Sequence, residues 1–150
     1  MLRSLETVER GTFEPDEVVD KITLDLDARR KRRQMLTGAG GTSFLVDLPI
    51  VPSLKDGDGF RLEGGQIIEV HAAPEALLEI RPSAGDVGRI AWHLGNRHLP
   101  VQFAGDSIYL RADHVIEDML KKLGAETRHI DAPFDPEGGA YGHGHTHSHD

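Results

Sequence analysis

The chain has 150 residues, a formal net charge of −8 and no cysteine, and 38% of its residues are hydrophobic. The negative charge argues against a nucleic-acid-binding protein, because such proteins neutralise phosphates with lysine and arginine. The lack of cysteine excludes disulfides, thiolate metal sites and cysteine nucleophiles, so any metal must be held by histidine nitrogen and carboxylate oxygen. We see no signal peptide or membrane span and expect a cytoplasmic protein without a membrane partner.

The first half of the chain reads as short strands separated by turns. In residues 18–28, apolar and charged side chains alternate as in a half-buried strand, the apolar ones being Val19, Ile22, Leu24 and Leu26. Residues 36–50 and 54–72 each contain two apolar runs around glycine-rich turns, which predicts two hairpins. No helix is evident before about residue 72, so we expect residues 1–73 to form a small all-β domain.

The second half mixes strands and helices. Residues 76–81 and 126–130 read as strands, and residues 100–111 read as a hairpin. A first helix is predicted by the spacing of Val87, Ile90, Ala91 and Leu94. A second is predicted after Asp113, its natural N-cap, by the stripe of Ile116, Met119, Leu120 and Leu123. The order β-α-β-β-α-β is that of a ferredoxin-like sandwich, so we expect an α+β protein with this domain over residues 74–136.

The chain ends in a histidine-rich tail, which we place at residues 137–150. From Pro133 onward there is almost nothing to bury, so we expect disorder without a ligand. Four histidines alternate with small residues, and alternate side chains of an extended chain point to one side: His143, His145, His147 and His149. A purification tag would have consecutive histidines. This composition favours binding of nickel, copper or zinc over a merely solvated tail.

The histidines of the folded part differ in what they predict. His93 and His98 are five residues apart, which is wrong for chelation on one helix face, and we interpret His93 as structural. His98 lies in a turn and becomes a metal site only if a two-fold axis brings a second copy alongside it. His114 begins a helix, where the positive helix end keeps imidazole neutral and able to bind a metal, although a plain surface role is favoured. We interpret His71 and His129 as structural.

Other motifs carry no catalytic chemistry. Residues 29–33 are all basic, and in an acidic chain they favour a solvated loop or a protein-docking surface over a nucleic-acid patch. Residues 38–41 are glycine-rich but lack the phosphate-loop pattern, and there is no nucleophile elbow or zinc-protease motif. We therefore expect that the protein is not an enzyme.

Three segments together resemble the urease accessory nickel metallochaperone family (UreE): "AWHLGNRHLPVQF", "RADHVIEDMLKKLG" and "PFDPEGGAYGHGHTHSHD". The similarity also covers "RRQMLTGAGGTSFLVDLP" and "LKDGDGFRLEGGQIIEVHAAPE" in the first half. The resemblance implies a homodimer built through the second domain, with Ni²⁺ held at the interface by His98 of each chain and by tail histidines. It also implies a first domain similar to the peptide-binding domains of chaperones.

The resemblance further implies delivery of nickel to the urease maturation complex, through the accessory GTPase and apo-urease. Some members carry a second metal pair, H-x-H, at a helix entrance; here Ala112 replaces its first histidine, so only Asp113 and His114 could contribute. Zn²⁺ and Cu²⁺ are expected competitors. Two other functions remain open: a metal buffer in which the tail alone matters, and a peptide-binding chaperone with incidental metal affinity.

Overall fold

The computed structural model describes residues 1–83 and 85–137, which form two compact units, Met1–Ala73 and Pro74–Glu137. Both units contain a sheet and short helices, so the expected α+β class is confirmed. Within the residues described, no helix has the length and apolar character needed to cross a membrane. The predicted disorder of residues 138–150 lies outside the described residues.

Unit 1, Met1–Ala73, is built around one six-stranded sheet. Its strands are β1 (Arg3–Val8), β2 (Val18–Leu24), β3 (Arg33–Thr37), β4 (Ser43–Asp47), β5 (Gly59–Leu62) and β6 (Ile67–Ala72), in the spatial order β2-β6-β5-β1-β4-β3. The two predicted hairpins are present as the antiparallel pairs β3–β4 and β5–β6. The other ladders join strands that are distant in sequence, and β1–β4 and β2–β6 are parallel.

The core of unit 1 is aromatic and aliphatic. Phe44 and Phe60 have no solvent exposure, and their ring centroids are 5.5 Å apart. In β2, Ile22 and Leu24 are buried as the alternation predicts, whereas Val19 is 50% exposed. The pattern therefore identified the strand but placed one apolar residue on the wrong side.

The expectation of a first domain without helix is wrong at one turn. Helix α1 (Leu26–Arg29) follows β2, and the Asp25 carboxylate caps it by accepting a hydrogen bond from the Ala28 N–H at 2.9 Å. A single 3-10 turn also occurs at Pro15–Glu17. One helical turn is too short to display a 3.6-residue period, so the hydrophobic pattern alone could not reveal α1.

The basic run at residues 29–33 is not simply a solvated loop. Arg29 has no solvent exposure and donates hydrogen bonds to the carbonyl oxygens of Leu24, at 3.3 Å, and Leu54, at 3.0 Å. Arg32 donates to the carbonyl oxygen of Leu48 at 2.9 Å. The prediction fails at Arg29 because a guanidinium that finds backbone acceptors can be buried, and the sequence does not show those acceptors.

Unit 2, Pro74–Glu137, has the β-α-β-β-α-β order. Its elements are β7 (Pro74–Arg81), α2 (Val87–Gly95), β8 (Gln102–Ala104), β9 (Ser107–Arg111), α3 (His114–Lys122) and β10 (Glu126–Pro133). The sheet order is β10-β7-β9-β8, and all three ladders are antiparallel. This is the arrangement of a ferredoxin-like sandwich.

Both helices of unit 2 pack on one face of that sheet. The buried cluster joins Ile90 and Leu94 of α2 and Ile116 and Leu120 of α3 to strand residues such as Leu78. Met119 and Leu123 pack at the edge of the cluster, so the predicted stripe of α3 faces the core. In α2 the stripe is shorter than predicted, because Val87 is 46% exposed.

The opposite face of the sheet carries a buried carboxylate. Glu79 alternates with the core residues of β7 and is 5% exposed. It accepts hydrogen bonds from Arg128 Nε of β10 at 2.9 Å and from Ser107 Oγ of β9 at 3.0 Å. The hydrogen bond from Arg128 outweighs the effect of desolvation and holds the pKa of Glu79 below its ordinary value. The ionised Glu79 side chain therefore links β7 to both β9 and β10 by hydrogen bonds.

Candidate metal centre

His98 is exposed in the turn that follows helix α2. Its N–H donates a hydrogen bond to the carbonyl oxygen of Gly95 at 2.9 Å. Its φ is 57°, and among residues 1–83 and 85–137 it is the only residue other than glycine with a positive φ. A left-handed backbone costs such a residue about 1 kcal/mol. The turn therefore keeps an exposed imidazole where glycine would fit with less strain, which is typical of a functional position.

His93 lies on helix α2, half-buried at the edge of the packed face. Its ring meets the Trp92 ring edge-on, with centroids 5.0 Å apart and an interplanar angle of 86°. The structural interpretation of His93 stays a prediction.

His114 is the first residue of helix α3 and is exposed. Asp113 caps this helix as predicted, because its Oδ1 accepts hydrogen bonds from the N–H groups of Val115, at 2.8 Å, and Ile116, at 3.2 Å. The capping role occupies one carboxylate oxygen of Asp113. The exposed His114 ring is thus held at the positive end of α3.

The two remaining histidines of the described part contact carboxylates. His129 Nε2 lies 3.0 Å from Glu117 Oε1, which links β10 to α3. Partial burial acts to raise the pKa of Glu117, but hydrogen bonds from His129 and Lys121 outweigh it, and that pKa is lowered. His71 Nε2 lies 3.3 Å from Glu69 Oε1. Each of these histidines thus has a carboxylate partner within its own unit, and their structural role stays a prediction.

No complete metal site exists within one chain over the part that the structure describes. No group of three or more histidine, aspartate or glutamate side chains there is arranged to hold a metal ion. His98 and His114 are therefore incomplete by themselves. The tail histidines, His143, His145, His147 and His149, lie outside the described residues.

The chain between β10 and the tail is ordered, contrary to the expectation of disorder from Pro133. Phe134 has no solvent exposure, and the Arg111 guanidinium lies 5.8 Å from its ring centroid. The Asp135 N–H donates to Gln102 Oε1 at 3.0 Å, and the Glu137 N–H donates to the carbonyl oxygen of Val101 at 2.7 Å. The sequence-based prediction overlooked the order of this segment, residues 134–137. Its one sign in the sequence is a phenylalanine among polar residues.

The ordered segment after β10 contacts the segment that follows His98. Val101 is three residues after His98 in sequence, and its carbonyl oxygen accepts a hydrogen bond from the N–H of Glu137, the last described residue. The sequence alone did not indicate this contact.

Unit 2 also exposes large apolar side chains. Trp92 on α2 and Val115 on α3 are each 63% exposed, and Phe103 on β8 is 48% exposed. Apolar surface of this kind is typical of an interaction site when the residues lie together. These side chains are candidates for the contact that would bring a second copy to His98.

Two family models match the chain. The model described as "UreE urease accessory protein, N-terminal domain" matches residues 3–73, and the one described as "UreE urease accessory protein, C-terminal domain" matches residues 75–150. Together they cover both units of the fold.

Curated relatives agree with the family models. A "Urease accessory protein UreE" of Beijerinckia indica subsp. indica is 49% identical over 142 residues, which cover 94% of this chain and 82% of that protein. Proteins of the same description are 48% identical in Ruegeria pomeroyi, over 93% of both chains, and 55% identical in Bradyrhizobium sp. (strain ORS 278), over 81% of this chain and 59% of that one. Both halves of the sequence and both units of the fold match, so the chain belongs to the family of UreE urease accessory proteins.

Proposed function

We propose that this protein carries Ni²⁺ on histidine side chains and delivers it to the urease maturation complex in the cytoplasm. The family consists of urease accessory proteins, and this chain assists an enzyme without being one. The observation that carries the nickel proposal is the placement of His98: it is exposed, held in a left-handed turn, and three residues before Val101, which bonds Glu137, the last described residue.

A second copy of the chain would complete the site. A two-fold axis through unit 2 would bring the His98 rings of both copies to one ion, because each copy presents the same surface. The exposure of Trp92, Phe103 and Val115 supports association through this unit. The two imidazoles would leave most of the coordination sphere of Ni²⁺ open to other ligands.

The tail histidines are proposed to fill these open positions. His143 is six positions after Glu137, with five residues between them, and an extended chain over six positions reaches about 20 Å. Because the Glu137 N–H bonds the carbonyl oxygen of Val101, this reach starts on the segment that carries His98 three residues earlier. We therefore expect the tail to collect ions and pass them to His98.

His114 is proposed as an auxiliary ligand. It is exposed at the start of α3, but Ala112 stands where a second histidine would complete an H-x-H pair. We expect His114→Ala to weaken nickel binding less than His98→Ala does, in a titration of both variants under the same conditions.

Histidine ligands suit a site that must pass its metal ion to another protein. Imidazole binds nickel, copper and zinc, and the general affinity order favours Cu²⁺ over Ni²⁺, so Zn²⁺ and Cu²⁺ should compete. Open coordination positions allow ligand-by-ligand transfer to the accessory GTPase and apo-urease, without release of a free ion. In the metal-buffer alternative, the tail alone would hold the ions and His98 would be dispensable.

The deciding experiment is a nickel titration of the protein truncated after Gly142, with the oligomeric mass followed by light scattering. We expect one ion per dimer to remain and His98→Ala to abolish it. His71→Gln is a matched control, because this histidine lies in unit 1 and glutamine keeps a hydrogen-bonding group beside Glu69. If the truncated protein binds no nickel, the tail is the whole site and the buffer function replaces delivery.

A further inference from the structure

Residues 134–137, which we call the strap, continue the chain from strand β10 at one edge of the sheet of unit 2. Two of the four strap residues are buried, Phe134 and Pro136. The backbone N–H groups of the other two donate hydrogen bonds to Val101 and Gln102, where β8 begins at the opposite edge. The strap therefore crosses the sheet from one edge strand to the other.

The register of the strands places the strap at one end of the sheet. β7 begins at this end, because Pro74 pairs with Pro133, the last residue of β10. β9 ends there, since Arg111 pairs with Leu77 near the start of β7. β8 is antiparallel to β9 and so begins at the same end. Three strand spacings of about 4.8 Å separate β10 from β8, so the strap carries the chain roughly 14 Å across the sheet.

Both exposed histidines of unit 2 belong to segments at this end of the sheet. Helix α2 leads into β8 through the turn that contains His98, four residues before Gln102. Helix α3 follows β9 and begins with His114, three residues after Arg111. The strap contacts both segments, because Gln102 bonds its backbone and the Arg111 guanidinium lies 5.8 Å from the ring centroid of Phe134. The described chain therefore ends on the segments that carry the two candidate ligands.

We propose that Phe134 is a positioning residue: its buried side chain holds the strap, and the strap sets the point from which the tail histidines reach the nickel site at His98. This inference rests on the proposed function. Without the strap, the tail would start at Pro133 on the other edge of the sheet, and His143 would be ten positions from that origin instead of six from Glu137. The effective concentration of a tethered ligand falls roughly as the −3/2 power of the tether length. A longer tether and a displaced origin would both weaken the contribution of the tail.

Nickel affinity, measured by competition with a chromophoric chelator, tests the proposal in the full chain and in the chain truncated after Gly142. We expect Phe134→Ala to weaken nickel binding by the full chain about threefold or more. The same substitution should leave the affinity of the truncated chain unchanged, because that chain has no tail histidines to position. Circular dichroism and light scattering check that fold and oligomeric mass are retained. Equal weakening of both chains would show a merely structural role for Phe134 and overturn the proposal.

Two further variants separate release of the strap from a general loss of packing. Gln102→Leu keeps a similar volume but removes the acceptor of the Asp135 N–H, so it should weaken nickel binding by the full chain in the same direction. Leu123→Ala is the matched control, because Leu123 is a partly buried apolar residue that follows α3 at the other end of the unit. It should leave both affinities unchanged.

Hydrogen exchange of the Glu137 amide reports on the strap without any metal. In Phe134→Ala this exchange should be faster than in the unaltered protein, because the hydrogen bond to Val101 is released. Unchanged protection of this amide, or equal full-chain affinities of Phe134→Ala and Leu123→Ala, would overturn the positioning role and leave the proposed function intact. An unaltered truncated chain that binds no nickel would instead overturn the proposed function, and the positioning role with it.

Discussion

Arg29 is a charged side chain with no solvent exposure, and its guanidinium bonds two backbone carbonyls that are far apart in sequence. In Arg29→Met the volume is similar, but the carbonyl oxygens of Leu24 and Leu54 lose this donor. Because hydrogen bonds to a charged group contribute more than neutral ones, we expect a loss of about 2 kcal/mol in the free energy of unfolding. Urea denaturation measures this loss.

The neighbouring Lys31 provides the control for this substitution. It is exposed, so Lys31→Met should change the free energy of unfolding by less than about 0.5 kcal/mol. Equal stabilities of the two variants would contradict a structural role for Arg29. They would favour the solvated loop that the sequence predicts for residues 29–33.

Asp20 explains the glycine-rich turn at residues 38–41. Its carboxylate accepts hydrogen bonds from the N–H groups of Gly40, Thr42 and Lys21, at 2.8, 3.0 and 2.8 Å. A Cβ on Gly38 would come within 2.4 Å of Asp20 Oδ2, so glycine is needed there for close approach. The turn resembles an anion-binding loop, but its anion is a side chain of the same unit.

These hydrogen bonds, first that from Gly40, lower the pKa of Asp20 from 3.8 to about 2. Because the folded-state pKa is depressed, the stabilisation is complete above pH 4 or so and is lost as the pH falls towards 2. A carboxyl NMR titration should find the midpoint of Asp20 near 2. Asp20→Asn should be less stable than the unaltered protein at pH 7 and should lack this loss below pH 4; a normal midpoint for Asp20 would contradict the geometry.

At the residue scale, the sequence predicted candidate ligands but not their conformations. The tail histidines were singled out by residue type and spacing, His114 by its place at a helix start, and His98 by the family resemblance. Sequence patterns could not foresee the left-handed φ of His98 or the burial of Arg29, since both depend on contacts with backbone groups that are not encoded in local periodicity.

At the scale of elements, helix α3 combines a predicted cap with a candidate ligand. Asp113 Oδ1 bonds the N–H groups of Val115 and Ile116. We expect Asp113→Ala to lower the free energy of unfolding by about 1 kcal/mol, because two N–H groups lose their acceptor. Asp118→Ala, on the same helix at an exposed position, should have a smaller effect in the same urea experiment. A loss no greater than that of Asp118→Ala would contradict the cap.

Local elements were predictable where a strong pattern met a clear turn signal. Both hairpins of unit 1, the hairpin of unit 2 and helix α3 follow from alternation, 3.6-residue spacing and glycine turns. Helix α1 has one turn and displayed no period. The anchored segment after β10 was overlooked because its order depends on Gln102 and Val101, which lie more than thirty residues earlier.

At the scale of the molecule, the ferredoxin-like order of unit 2 could be inferred from the order of its elements, whereas the parallel ladders of unit 1 could not. Parallel pairs such as β1–β4 join strands separated by other elements, and nothing local specifies them. The same limit applies to the proposed metal site. In that proposal the sequence supplies one imidazole, His98, and its counterpart comes from a second copy, whose position no local pattern specifies.

The pH dependence of nickel loading tests the proposed ligands in the whole molecule. A ligating imidazole must be unprotonated, so binding should weaken as the pH falls through about 6.5, the ordinary pKa of histidine. The pKa values of the Asp20, Glu79 and Glu117 carboxyl groups are lowered. These groups therefore stay ionised, and keep their hydrogen bonds, at the pH values where histidine becomes protonated.

Loss of nickel between pH 7.5 and pH 5 should therefore occur without unfolding. Nickel titrations across this range, with circular dichroism recorded on the same samples, separate the two events. His98→Ala should remove the pH-dependent binding that survives truncation after Gly142, and the tail should account for the remainder. Nickel affinity that stays constant down to pH 5 would contradict histidine ligation, because carboxylates alone would remain ionised there.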